Sequence, residues 1–125
     1  MTIDQQLRAF SGLQRARLWL PGCTGLTTLP VGLTVGDGAR LDLPGCTGLT
    51  TLPVGLTVGD GARLDLSGSG IPAVGRDALD YEFRRVVCNG TVYVNAGGRH
   101  FTAEQARAHW PEGSECRALA EACLA

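Results

Sequence analysis

Apolar and polar positions alternate in three distinct rhythms along the chain. Near the amino terminus Ile3, Leu7 and Phe10 fall at i, i+4 and i+7, which predicts a helix of about ten residues with one apolar stripe. Thr2-Ile3-Asp4-Gln5 reads as its capping box, and Gly12 ends it. The rhythm then changes to period two in Leu41-Asp42-Leu43, a short strand with both leucines on one face. Pro44-Gly45 turns the chain, and Cys46, Leu49 and Leu52 recur every third residue. That spacing suits an extended or 3₁₀-like segment, and Pro53 opposes a helix there. Leu56-Thr57-Val58 is a second short alternating run, closed by Gly59-Asp60-Gly61.

The carboxy-terminal third has a different grammar. A helical turn is expected within residues 77–83. Residues 85–88 and 91–94 flank Asn89-Gly90, a strong hairpin signal because Asn-Gly suits a type I′ turn. Thr102-Ala103-Glu104-Gln105 is a second capping box, opening a helix that Pro111 terminates after Trp110. Ser114 caps a last helix over 115–124, with Cys116, Leu119, Ala120 and Cys123 on one face. The tail therefore reads as a ββαα unit docked on the segment before it.

Residues 18–40 and 41–63 are the same 23-residue segment twice, differing only at Trp19 and Asp42. A shortened third copy occupies 64–75. Such a period marks units that bury their apolar faces against one another. The pattern LxLxxCxxLxxLPxxLxV, carried by Leu18, Leu20, Cys23, Leu26, Leu29-Pro30, Leu33 and Val35 and again by Leu41 through Val58, resembles bacterial leucine-rich-repeat proteins. That resemblance implies a leucine-rich-repeat solenoid: parallel LxL strands on a concave face, a mostly non-helical convex side, and an inner ladder of Cys23, Cys46 and Ser69. The expected organisation is an amino-terminal helical cap (1–17), repeats (18–40, 41–63, partial 64–75) and a carboxy-terminal hairpin-plus-helices cap (76–125). The Leu-Pro pairs also resemble the compact repeats of secreted bacterial effectors, but the tail has no Cys-x-Asp, so their ligase activity is not carried over.

Composition narrows the partner. The chain has 125 residues, net charge −1 and no block of like charge, which disfavours nucleic acid or an anionic membrane as partner. No apolar run approaches the length of a membrane span. All eleven basic residues are Arg, as a GC-rich coding bias gives, which points to a bacterial source. The amino terminus lacks a secretory pattern. The expected location is the cytoplasm, with export by a non-classical route left open. Five Cys in a reducing compartment read as free thiols filling apolar space.

Candidate binding residues follow from the strand positions. Trp19, Asp42 and Asp65 sit at the middle of successive LxL strands, so they should project from the sheet about 4.8 Å apart. They form a recognition patch unless Trp19 packs beneath the first helix and the carboxylates are merely solvated. Arg17, Arg40 and Arg63 precede these positions as a rim, with Asp37 and Asp60 upstream as expected surface ion-pair partners of Arg40 and Arg63. One carboxylate per copy is too few for calcium. His100, His109, Cys116 and Cys123 lack the close spacing of a structural zinc site, and no nucleophile–base pair or phosphate loop stands out. Neither metal nor cofactor is expected, and no catalytic residue. The reading is a non-enzymatic module that binds an unknown protein through the concave sheet. The alternatives are a self-assembling structural repeat protein, or a contracted repeat protein whose function lies in the tail.

Overall fold

The computed structural model describes residues 2–88 and 90–125. Helix α1 (Ile3–Phe10) carries the reciprocal Thr2–Gln5 capping box and buries Leu7 and Phe10. Strands β1 (Arg17–Trp19), β3 (Arg40–Asp42) and β5 (Arg63–Asp65) come from the three copies. They pair parallel and in register, Arg17 with Arg40 with Arg63, Leu18 with Leu41 with Leu64, and Trp19 with Asp42 with Asp65. Between them β2 (Thr34–Val35) and β4 (Thr57–Val58) form a two-stranded parallel sheet.

The tail does not form a separate cap. Strands β6 (Gly75–Arg76), β7 (Glu82–Cys88), β8 (Thr91–Ala96) and β9 (Arg99–Phe101) continue the same sheet. Its order is β1-β3-β5-β9-β8-β7-β6, with β9 antiparallel to β5. This corrects the expected fold class. Among the described residues the chain is a seven-stranded mixed sheet, a small parallel sheet and three short helices, not a leucine-rich-repeat solenoid closed by caps.

The physical reason lies at the edge of β5. Three strands of a parallel ladder leave unpaired N–H and C=O groups that must find partners. Here Leu64 N–H donates to the Gly98 carbonyl at 2.9 Å, and Asn95 Nδ2 donates to the Leu64 carbonyl at 2.6 Å. A partly buried salt network reinforces the join. The Glu82 carboxylate accepts from Gly68 N–H at 2.9 Å and pairs with Arg84 and Arg76, both at 3.1 Å. No helical turn forms over 77–83: Asp77 Oδ1 accepts from the N–H groups of Leu79 and Tyr81, and β7 starts at Glu82. The proposed type I′ turn falls on Asn89, outside the described residues.

Each face of the sheet has its own core. On one face Leu18, Leu41 and Leu64 meet Leu33, Val35 and Leu56 from the connecting segments, joined by Val86 and Cys88 from the hairpin. On the other, α2 (Ala103–His109) and α3 (Glu115–Leu124) pack on β7, β8 and β9 around Phe83, Val94 and Ala96. Both helix starts are capped as the sequence predicts, by Thr102 with Gln105 and by Ser114. The helices cover only the tail half of their face. The half built from β1, β3 and β5 carries the predicted binding residues.

Candidate functional site

Parallel register in β1, β3 and β5 puts identical positions side by side, and β9 extends the row. Arg17, Arg40, Arg63 and Arg99 are successive partners across four neighbouring strands. Like charges directly opposed in a sheet repel, so the counter-charges decide what the row can do.

At the β1 end one buried carboxylate bridges both guanidiniums. Asp42 is only 2% exposed, and its carboxylate takes Arg17 Nε at 3.2 Å and Arg40 Nε at 2.9 Å. The hydrogen bond and charge of Asp42 push the Arg40 pKa further up. Asp42 thus holds two guanidiniums and is not itself a surface contact. Asp65 turns forward past the end of its strand, where Oδ1 accepts from Ser67 N–H at 2.9 Å. The ion pairs expected at the corners do not form; Asp37 Oδ1 instead accepts from Asp60 N–H at 3.0 Å.

At the β9 end no carboxylate bridges the pair. Among the described residues, neither Arg63 nor Arg99 has a carboxylate within salt-bridge distance. Arg99 lies over the Phe101 ring, 5.9 Å from its centroid. The two arginines line a cleft of about 520 Å³ between the sheet and α2, with Gln105 and His109 on the helix side. A second cleft of about 460 Å³, reaching Asp77, Tyr81 and Cys116, shares Arg63, Arg99 and His109 with the first.

Trp19 stands at the opposite border, 60% exposed, so it does not pack beneath α1. The uncovered face therefore runs from an aromatic edge, through a bridged Arg–Asp–Arg cluster, to a basic cleft. Arg99, Gln105 and His109 were not singled out as binding residues from the sequence. The signal for Arg99 is the pairing of β9 with β5, which no local pattern announces.

The inner ladder is uneven. Cys46 is buried with its thiol directed at the Leu20 carbonyl, 3.2 Å away, whereas Cys23 is half-buried and lies 3.8 Å from the Pro21 carbonyl. Ser69 Oγ accepts from Ile71 N–H at 3.3 Å. All five thiols are free. Burial pushes Cys88 and Cys123 up to about 11. Cys116 is also raised, by burial and by the Asp77 carboxylate 3.8 Å from its sulfur. Both ring nitrogens of His100 are buried without a hydrogen-bond partner, and burial pushes its pKa down to about 4. Among the described residues no three His, Cys, Asp or Glu side chains gather to hold a metal ion. No helix among them is long and apolar enough to cross a membrane.

Compared with protein-family models, with curated proteins and with solved structures, the chain finds no match.

Proposed function

We propose that the chain is a non-enzymatic binding module that meets a partner protein with the uncovered half of its sheet face. The observation that carries this reading is Trp19, a large aromatic side chain 60% exposed at the border of an otherwise charged, hydrogen-bonded face. Aromatic and Arg side chains side by side are the usual anchors of protein interfaces. Asp42 fixes Arg17 and Arg40, which lowers the entropy lost when a partner engages them. Catalysis is disfavoured on chemical grounds. The Cys116 thiol has a carboxylate partner that raises its pKa, the reverse of nucleophile activation.

The test is affinity capture from a lysate of the source cell, comparing the chain with folded Trp19→Ala and Trp19→Ala/Arg17→Ala variants. A protein captured by the parent and lost with both variants supports this face as the interface. A partner captured equally by all three refutes it. Recovery of nothing but the chain itself, with a dimer or larger species in light scattering, replaces a foreign partner by self-assembly.

A further inference from the structure

We propose that the cleft between β5, β9 and α2 is an oxyanion site for a phosphate-bearing small molecule, with Arg63 and Arg99 as its primary ligands. The first support is the pairing itself. Arg63 and Arg99 are direct partners on antiparallel strands, a placement that costs stability through like-charge repulsion when nothing lies between them. The same fold bridges the first two members of the row with one buried carboxylate and leaves these two without such a bridge. Asp65, two residues along β5 from Arg63, and Asp77, in the adjoining cleft, each turn one carboxylate oxygen to backbone N–H groups, that of Ser67 for Asp65 and those of Leu79 and Tyr81 for Asp77.

The second support is the cleft. Its volume of about 520 Å³ suits a small ligand. Polar side chains from three elements line it, Arg63 on β5, Arg99 on β9, and Gln105 and His109 on α2. A planar carboxylate is satisfied by one guanidinium fork. A tetrahedral dianion offers oxygens in several directions and charge enough for two guanidiniums. Phe101 and Ala108 add an apolar wall for the body that carries the phosphate. The site needs no protein partner, so it stands or falls separately from the interface proposed above.

The experiment is calorimetric titration of the full chain at constant ionic strength with three probes, inorganic phosphate, phenyl phosphate and acetate. Arg63→Gln, Arg99→Gln and Arg8→Gln variants are run in parallel. Arg8 is exposed, paired with Asp4 on α1, and controls for the loss of one positive charge. The expected result is saturable one-to-one binding of a phosphate probe, weakened about tenfold or more in either cleft variant and unchanged in Arg8→Gln. Phenyl phosphate binding tighter than inorganic phosphate identifies an organic phosphate as the ligand, and equal binding identifies the free ion. Unfolding midpoints in phosphate-free buffer keep the test clear of folding defects: the cleft variants should unfold at the same or a higher temperature than the parent, since a repulsive pair is removed. Absence of saturable phosphate binding, acetate binding as tight as phosphate, or an equal loss in Arg8→Gln overturns the proposal.

Discussion

Trp19 and Asp42 face each other as register partners across β1 and β3, and they are the one position at which the two full copies differ. The difference matches their surroundings. Asp42 has an arginine on its own strand and another on β1, and it is buried beneath both. Trp19 sits on a border strand with one neighbour. Trp19→Ala should therefore change stability by less than about 1 kcal/mol, since most of the ring is already in water. Trp19→Asp, which makes the copies identical, sets a second carboxylate opposite Asp42 and should cost about 1 kcal/mol more than the alanine change. Asp42→Ala removes two charge-assisted bonds and should cost about 1–3 kcal/mol. Urea denaturation of the three variants orders them; Asp42→Ala as mild as Trp19→Ala would contradict the buried cluster.

Gly25 and Gly48 occupy the same place in the two copies but not the same environment. A Cβ at Gly25 would meet nothing within 4 Å, whereas one at Gly48 would lie 2.5 Å from the Thr24 carbonyl oxygen. Gly25→Ala should be neutral or slightly stabilising. Gly48→Ala must push one copy away from the other and should lower stability by about 1–3 kcal/mol. Thermal unfolding of the pair checks this; equal midpoints would show that the copies are not stacked as described.

His100 gives the chain an acid sensitivity. Its folded pKa, about 4, lies below the ordinary 6.5, so the unfolded chain binds the extra proton first. Stability is complete above about pH 6.5 and declines as pH falls towards 4, by about 2–3 kcal/mol. The carboxylate of Glu82 contributes in a lower range. Burial raises its pKa, but bonds to Arg84 and Gly68 bring it below the ordinary 4.5 overall, so its stabilisation is lost only as pH falls through and below 4.5. His100→Phe keeps a ring stacked on Tyr93 and should flatten the slope between pH 6.5 and 4.5. An unchanged slope in that variant would remove His100 as the cause.

Thiol accessibility should separate the cysteines. Cys23 and Cys116 are half-buried, while Cys46, Cys88 and Cys123 are buried. Iodoacetamide at neutral pH should modify Cys23 first, with Cys116 slowed by its raised pKa. The other three should react only in denaturant. Mass spectrometry of the time course decides; early modification of Cys88 would place the hairpin elsewhere.

Much of the local structure was legible because its determinants are local. The alternation of Leu41-Asp42-Leu43, the two capping boxes and the Ser114 cap each specify an element from a few adjacent residues. The parallel pairing of β1, β3 and β5 was expected only through the repeat resemblance; identical strands burying identical faces account for its register. Sheet continuity was not legible. Arg99-His100-Phe101 has no apolar alternation, and its pairing with β5 is made across a gap of more than thirty residues. The burial of Asp42 was hidden for a related reason. A mid-strand carboxylate reads as outward and solvated, and only the two guanidiniums folded over it take it out of water. The basic cleft depends on both effects together, so the sequence showed three arginines of the row and not the fourth.

The strand that β9 closes upon, Arg63-Leu64-Asp65, is the same tripeptide as Arg40-Leu41-Asp42. Either could present the same edge to the tail. Duplication or loss of one copy would then leave the aromatic border at Trp19 and the basic border at Arg99 intact while changing the distance between them by one strand, about 4.8 Å. Each copy added or removed would lengthen or shorten this surface by one whole strand, as a ruler is lengthened by whole divisions, with neither end redesigned.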